Sequence, residues 1–246
     1  ALMLLMLPIW RRPTTKAMTP GVITGKTMKN WAKIDGALAD HVDANWLRES
    51  AVKRRLREET SRMPRANMQI SAHQGQQIGL LAHAIGARRA VEVGTFTGYS
   101  SLCIAETLPA DGKLWCCDVS EEWTCIARRY WKEAGVEKRI ELTIGPALGT
   151  LDWLLAQGLT GQLDLAFIDA NKDDYDAYYE RCLKLVRPGG LVLIDNVLWR
   201  GWIAEPAHVD ADTKAIRALN AKLKADERVD LALFAVGDGM TCALKR

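Results

Sequence analysis

The stretch VEVGTFTGYSS, Val91 to Ser101, joins the end of a short apolar segment to the start of a helical one. Glycines at positions 94 and 98 permit a tight turn and a close ligand approach to the main chain. Dinucleotide sites carry G-x-G-x-x-G, whereas the spacing here is G-x-x-x-G, with Glu92 two residues before the first glycine. The stretch therefore predicts a strand, a turn and a helix without a pyrophosphate cradle.

Short apolar segments alternate with helical segments on both sides of this turn. The predicted strands are Ala90–Gly94, Lys113–Asp118, Ile140–Gly145, Leu163–Asp169 and Gly190–Asp195. The helices predicted between them are Ser100–Leu108, Trp123–Glu133, Ala147–Ala156 and Tyr175–Val186. This alternation is typical of a parallel sheet wrapped by helices.

Further elements are predicted on either side of these strands. A helix at Asp212–Asp226 is followed by the apolar runs DLALFAV and MTCALK, and Gly237-Asp238-Gly239 between them indicates a hairpin. Helical spacing also predicts Ala72–Ile85 and one or two helices between Leu38 and Leu56. The expected fold is α/β: a seven-stranded, mostly parallel sheet with a C-terminal antiparallel hairpin and helices on both faces. Such sheets bind ligands beyond the carboxyl ends of their strands.

The composition is that of a soluble globular protein. The 246 residues are 48% hydrophobic and 26% charged, enough for one domain with an added arm. We predict a flexible N-terminal arm or cloning remnant over residues 1–34, N-terminal helices over 35–87 and a sheet core over 88–246. A net charge of +3 is too small to indicate a nucleic-acid partner.

The opening ALMLLMLPIW is shorter than the roughly 20 apolar residues that cross a bilayer. It predicts no stable membrane insertion, and a partner-binding or membrane-surface segment remains an alternative. Six cysteines without a C-x-x-C pair argue against zinc and against a disulfide framework. A reducing, cytoplasmic location is expected.

Asp118, at the end of the second predicted strand, is placed to hold a ribose. It lies 118 − 94 = 24 positions after Gly94, where an acid can accept two hydrogen bonds from the ribose diol. The alternative is a cap on the next helix. The combination with Glu92 and Gly98 favours a nucleoside pocket.

These motifs resemble those of the class I S-adenosylmethionine-dependent methyltransferases, specifically the small cation-dependent O-methyltransferases that act on catechol or caffeoyl-CoA. The resemblance runs from about Leu56 to Arg246 and includes MQISAHQGQ, GPA, FIDANKDDY, LVRPGGLVLIDNVLW and GDGMTCALKR. It implies a Rossmann-like fold with S-adenosylmethionine as cofactor. The cofactor-binding positions that it implies are Met68, Ile70, Glu92, Gly94, Phe96, Tyr99, Ser100, Asp118, Val119, Ala147 and Asp169.

Asp169, Asp195 and Asn196 stand at the ends of the fourth and fifth predicted strands. Their side chains can converge, and oxygen donors of this kind suit Mg²⁺ best here, with Mn²⁺ or Ca²⁺ as alternatives. A single aspartate at a strand end is usually structural, but two on independent strands are harder to explain in that way. The resemblance implies a metal site at the same three positions.

A cation at this place would activate the methyl acceptor, because chelation lowers the pKa of one of two adjacent phenolic hydroxyls. Asp169 and Lys172 are therefore the predicted catalytic residues, and the resemblance makes Lys172 the general base. A solvent-facing lysine at a helix start is the alternative. No G-x-S-x-G nucleophile motif occurs, and Cys182 falls within a predicted helix.

The predicted function is methyl transfer to a hydroxyl of a small vicinal dihydroxy aromatic molecule, with the caffeoyl type as one candidate. Trp199 and Arg200 are predicted substrate residues, and Phe96 and Trp202 are further candidates for the acceptor wall. The resemblance also implies a homodimer. Asn171 and His73 stand where relatives usually carry an acid. The alternatives are a nucleotide-dependent oxidoreductase and a non-catalytic module that binds the cofactor.

Overall fold

A computed structural model describes residues 34–246, in which strands and helices alternate after three N-terminal helices. The helices are α1 Gly36–Trp46, α2 Ala51–Thr60, α3 Ala72–Ala84, α4 Tyr99–Thr107, α5 Glu121–Glu133, α6 Ala147–Ala156, α7 Tyr175–Leu185 and α8 Ala211–Ala225. The strands are β1 Arg89–Val93, β2 Lys113–Asp118, β3 Ile140–Ile144, β4 Leu163–Ile168, β5 Val186–Ile194, β6 Val229–Phe234 and β7 Met240–Lys245. The predicted arm, with its apolar opening, lies outside the described residues except for Ile34, so the proposed division of the chain stays a prediction.

The seven strands form one sheet in the order β3-β2-β1-β4-β5-β7-β6. Strands β1 to β5 are parallel, and β7 runs antiparallel to both β5 and β6. The predicted parallel sheet with a C-terminal antiparallel hairpin is therefore confirmed. The strand order reverses between β1 and β4, which is where sheets of this type bind their ligands.

Two apolar layers cover the two faces of the sheet, because alternate residues of each strand point to opposite sides. On one face, Ala90 of β1 packs with residues of α3, α4 and α5 such as Ile78, Leu102 and Trp131. On the other face, Val91 packs with residues of α6 and α7. Helices on both faces are thus confirmed, and the sheet is buried between them.

The edges of the sheet and the start of β5 differ from the predicted pattern. Strands β3 and β6 are largely exposed because each has a neighbour on one side only. Strand β5 begins at Val186 rather than at Gly190, and its register with β4 shifts between Leu163 and Leu165. All six cysteines are free thiols. Over residues 34–246, no helix is both long and apolar enough to cross a bilayer.

Candidate active site

A cavity of about 1080 Å³ lies at the carboxyl edge of the sheet, where the strand order reverses. Residues that follow β1, β2, β3, β4 and β5 all contribute to its wall. Every residue predicted to bind the cofactor lines this cavity, with Glu92 as the exception. Lys172, Asn196, Trp199 and Arg200 line the same space, so the predicted cofactor and acceptor positions share one cavity.

The turn between β1 and α4 owes its glycines to close packing within the protein. Gly94 has φ +92°, and a Cβ there would lie 1.9 Å from the carbonyl oxygen of Asp169. Gly98 has φ +86°, and a Cβ there would lie 2.5 Å from the Cβ of Ala127 in α5. The positive φ angles agree with the predicted tight turn, and contacts with neighbouring segments require both glycines whether or not a ligand approaches them.

Asp118 holds the same turn through its carboxylate. Its Oδ2 accepts hydrogen bonds from the backbone N–H groups of Thr95 at 3.0 Å and Phe96 at 2.7 Å. Its Oδ1 accepts from the N–H of Ser120 at 2.8 Å, and Ser120 itself caps α5. Asp118 is therefore not the helix cap that was the alternative, and its contact with a ribose remains a prediction.

Glu92 points into the protein interior beside the cavity rather than into it. The side chain is fully buried, and neither carboxylate oxygen has a hydrogen-bond partner among the described residues. Burial raises the pKa of Glu92 to about 8, against the opposing influence of the nearby Ser100 and Thr95 side chains. The protonated form therefore predominates at neutral pH in this structure.

Lys172 stands at the centre of the residues that follow β4 and β5. Its Nζ donates hydrogen bonds to Asp169 Oδ1 at 3.0 Å, to Asn196 Oδ1 at 2.6 Å and to the Tyr175 hydroxyl at 2.6 Å. The residue is 8% exposed, so the alternative of a solvent-facing lysine is wrong. The predicted convergence of Asp169 and Asn196 is present, because both oxygens reach one ammonium group.

Asp195 completes this set of oxygens from a more buried position. Its Oδ2 accepts from Asn196 Nδ2 at 3.3 Å, and its Oδ1 has no hydrogen-bond partner within the described part of the chain. Burial, followed by the charge of Asp169, raises the pKa of Asp195 above its usual range. A buried carboxylate with an unpaired oxygen beside a second carboxylate gains from a nearby cation.

The donor types fit a hard divalent cation. No group of three or more His, Cys, Asp or Glu side chains between residues 34 and 246 is arranged to hold a metal ion. A metal site here would therefore need the amide oxygen of Asn196 beside the carboxylates of Asp169 and Asp195. Oxygen donors of this kind suit Mg²⁺ or Mn²⁺ and exclude a soft-ligand site.

The loop after β5 forms the wall next to this set of oxygens. Asn196, Trp199 and Arg200 all have positive φ, between 45° and 58°, a backbone region that non-glycine residues occupy at a cost. The turn of the β6–β7 hairpin holds the loop in place: the Leu198 N–H donates to the Asp238 carbonyl at 3.0 Å, and the Arg200 N–H donates to Asp238 Oδ1 at 2.7 Å. Strained backbone supported in this way is common at functional sites.

The aromatic candidates divide into two groups. Phe96 and Trp199 line the cavity, and the Phe96 ring packs edge-on against Trp123 with centroids 5.2 Å apart. Trp202 does not line it and instead stacks on His208 with centroids 4.6 Å apart. Trp202 is half-buried and belongs to neither apolar layer of the core, so it is neither part of the cavity wall nor a core residue.

The two departures from the family pattern occupy different places. Asn171 lines the cavity, donates to Asp174 at 2.8 Å and accepts from the Tyr178 hydroxyl at 2.6 Å. His73 lies away from the cavity wall and pairs with Asp43 of α1 at 2.7 Å. Of the two substitutions, only the one at Asn171 changes the wall of the site.

Sequence reasoning missed several residues of the site. Tyr175 supports Lys172, Asp238 holds the loop after β5, and Trp123 backs Phe96. Tyr175 lies three residues after Lys172, so the helical spacing of the pair was a usable signal. Asp238 had no such signal, because its partner Arg200 is 38 residues away in the chain.

The strand order, the cavity at the point where that order reverses and Asp118 at the end of β2 are the features of a Rossmann-like fold that binds a nucleoside-containing ligand. Residues 43–246 match the model of the O-methyltransferase family. The chain belongs to this family, and the protein is an S-adenosylmethionine-dependent O-methyltransferase.

Relatives of known sequence and structure agree with this assignment. The chain is 37% identical over 238 residues to mouse catechol O-methyltransferase domain-containing protein 1, covering 93% of this chain and 91% of the relative. It is 41% identical over 201 residues to caffeoyl-CoA O-methyltransferase 2 of Zea mays, covering 79% and 76%. The O-methyltransferase TomG of Streptomyces achromogenes, solved with S-adenosylmethionine, aligns with a TM-score of 0.77 and 34% identity over 84% of this chain and 94% of that one. These similarities do not favour the oxidoreductase or the non-catalytic module.

Proposed function

We propose that the enzyme methylates one hydroxyl of a vicinal dihydroxy aromatic molecule of the catechol or caffeoyl type, held at a divalent cation by Asp169, Asp195 and Asn196. The observation that carries the proposal is the convergence of these oxygens and Lys172 beside the cavity. The names of the mouse and maize relatives support the acceptor class, since catechol and caffeoyl groups share the 1,2-dihydroxy ring.

The cofactor is proposed to occupy the part of the cavity between Met68, Asp118 and Ala147, which all line it. The turn after β1 is fixed by the two backbone hydrogen bonds to Asp118 described above. Because these groups are held before any ligand arrives, little of the binding energy is lost in ordering them. Methyl transfer is an in-line displacement, and a site that fixes both reactants supplies much of the rate through orientation.

Lys172 is proposed to receive the proton of the reacting hydroxyl as a neutral amine, since the ammonium form that donates the three hydrogen bonds above has no free electron pair. A bound Mg²⁺ would lower the pKa of a coordinated hydroxyl and so favour the phenolate. Lys172 Nζ lies within hydrogen-bonding distance of Asp169 and Asn196, two of the proposed metal ligands. It also forms a hydrogen bond with the Tyr175 hydroxyl. Its burial limits exchange of the proton with bulk water. No covalent enzyme intermediate is required.

The proposal is tested with Asp169→Ala and Asp195→Ala, using Asp173→Ala as a matched control. Asp173 is an exposed carboxylate in the same segment as Lys172. We expect both site variants to lose catechol methylation by at least about 100-fold and to lose Mn²⁺ binding in calorimetry. Asp195→Ala, whose side chain is not among the predicted cofactor positions, should retain S-adenosylhomocysteine binding. The control should keep all three properties. Unchanged turnover in both site variants, or in excess chelator, would falsify the metal role.

A homodimer remains part of the proposal. Helix α1 has no buried residue, and the side chains of Leu38 and Trp46 are 47% and 60% exposed. An apolar surface of this kind is consistent with a contact between copies of the chain. Light scattering that gives the monomer mass would contradict it.

A further inference from the structure

Glu49, Arg57 and Tyr99 form a hydrogen-bonded group, here called the Glu49 cluster, between the α1–α2 connection and the start of α4. Arg57 donates from Nε and Nη2 to the two oxygens of Glu49, both at 2.9 Å. The Tyr99 hydroxyl donates to Glu49 Oε1 at 2.7 Å. One carboxylate therefore joins α2 to a residue that lines the cavity.

The Glu49 cluster is more buried and more fully bonded than an ordinary surface ion pair. The Glu49 side chain is 3% exposed. Burial alone would raise its pKa, but the hydrogen bonds from Arg57 and Tyr99 outweigh burial and hold the pKa of Glu49 below its usual range. Burial also raises the pKa of Tyr99, and the hydrogen bond to Glu49 adds to the rise. Glu49 is thus a charged acceptor, and Tyr99 remains a neutral donor to it.

Tyr99 is held by its ring as well as by its hydroxyl. A Cβ at Gly75 of α3 would lie 2.6 Å from Tyr99 Cε1, so the ring occupies the space that this glycine leaves. Helix α3 follows the segment of Met68 to Ile70 that lines the cavity, and Tyr99 is the first residue of α4. The orientation of one tyrosine therefore links two parts of the cavity wall.

We propose that Glu49 and Arg57 are positioning residues for the cofactor: through Tyr99 they set the relative placement of the segment before α3 and the start of α4, and with it the affinity for S-adenosylmethionine. Neither residue needs to touch the cofactor. The inference rests on the proposed placement of the cofactor in this cavity. It assigns the α1–α2 connection, which precedes every cofactor motif in the sequence, a role in cofactor binding.

The chain contains a matched control on the same helix. Glu59 of α2 accepts from Arg129 Nη1 at 3.1 Å and from the Tyr130 hydroxyl at 2.7 Å. This second group has the same three residue types, but it joins α2 to α5, and none of its members lines the cavity. Loss of its carboxylate should cost stability without changing cofactor affinity.

The test compares Glu49→Gln and Tyr99→Phe with Glu59→Gln and Tyr130→Phe by calorimetric titration with S-adenosylhomocysteine. We expect the Kd to rise about tenfold in each variant of the Glu49 cluster, since each loses a charge-assisted hydrogen bond. The double variant Glu49→Gln/Tyr99→Phe should be no weaker than either single variant, because both act through one contact. In steady-state assays, the KM for S-adenosylmethionine should rise with kcat nearly unchanged.

The outcomes separate this inference from the proposed function. A wild-type protein that does not bind S-adenosylhomocysteine would overturn the placement of the cofactor itself. If the wild type binds and the Glu49→Gln and Tyr99→Phe variants keep its Kd within twofold, while their melting temperatures fall as in the Glu59→Gln control, the cluster is only structural. Strictly additive losses in the double variant would also reject the proposal. If Glu49→Gln does not fold, Arg57→Gln decides the matter, because Arg57 holds both oxygens of Glu49 and, unlike Tyr99, does not line the cavity.

Discussion

Replacement of Glu92 by glutamine should make the unfolding free energy of the protein less dependent on pH, by an amount that can be calculated. The buried carboxyl has a pKa of about 8 when folded and an ordinary value of 4.5. It therefore binds more protons in the folded state than in the unfolded state between these values. The contribution of Glu92 to stability is greatest below pH 4.5 and falls as the pH rises toward about 8.

The size of the effect follows from the two pKa values. Each pKa unit corresponds to about 1.4 kcal/mol, so between pH 5 and pH 7 the wild type should lose about 2.5 kcal/mol of unfolding free energy through this residue alone. Glutamine keeps the shape of the side chain and cannot titrate. The stability of Glu92→Gln relative to the wild type should therefore increase by the same amount over this range.

The measurement is urea unfolding of both proteins at pH 5 and pH 7 without cofactor. Other titrating groups contribute equally to the two proteins and cancel in the difference. Glu122→Gln removes an exposed carboxyl from the first turn of α5 and serves as the control, for which no such growth is expected. A wild-type to Glu92→Gln difference that stays the same at both pH values would refute the reasoning.

Two further predictions concern the framework of the site. In thermal melts, Gly94→Ala should destabilise the fold by about 3 kcal/mol or more, because the new Cβ would overlap the Asp169 carbonyl and the residue would keep a positive φ. Gly149→Ala in α6 is the control: a Cβ there meets nothing within 4 Å, so this variant should be slightly more stable than the wild type. A destabilisation under about 1 kcal/mol for Gly94→Ala would contradict the contact. Asp164→Asn should cost about 2 kcal/mol in urea unfolding, because the carboxylate accepts from the Arg88 and Arg89 N–H groups at 2.8 and 2.9 Å and from Arg187 Nε at 2.6 Å. Burial raises the pKa of Asp164, but these hydrogen bonds lower it by more. The difference in unfolding free energy between the wild type and Asp164→Asn should therefore shrink as the pH falls below the ordinary carboxyl range. A free-energy difference that does not depend on pH would contradict this prediction.

The sheet and the oxygen cluster could be predicted because both follow from short-range patterns. Alternating strands and helices specify a parallel sheet, and parallel strands place their carboxyl ends at one edge. Asp169 and Asn196 follow two neighbouring strands, so their meeting needed no knowledge of side-chain packing. Asp195 was predicted in the same way, although its deeper burial was not.

The remaining features depend on contacts between distant parts of the chain. The direction of Glu92 depends on which face of β1 it occupies and on the helix above that face. The Glu49 cluster joins residues 50 positions apart, and no local pattern distinguishes Glu49 from the other acids of the N-terminal helices. The positive φ of Trp199 and Arg200 runs against residue preference, so only the contact with the hairpin turn explains it.

The support that the hairpin turn gives to the loop after β5 has a consequence for the choice of acceptor. The turn around Asp238 lies within residues 237–246, whereas the proposed cofactor positions lie between Met68 and Asp169. Under the proposed function, the turn can therefore be changed without replacing any proposed cofactor residue. Exchanging the turn between relatives offers a route to enzymes that methylate new molecules while their use of the donor is left intact.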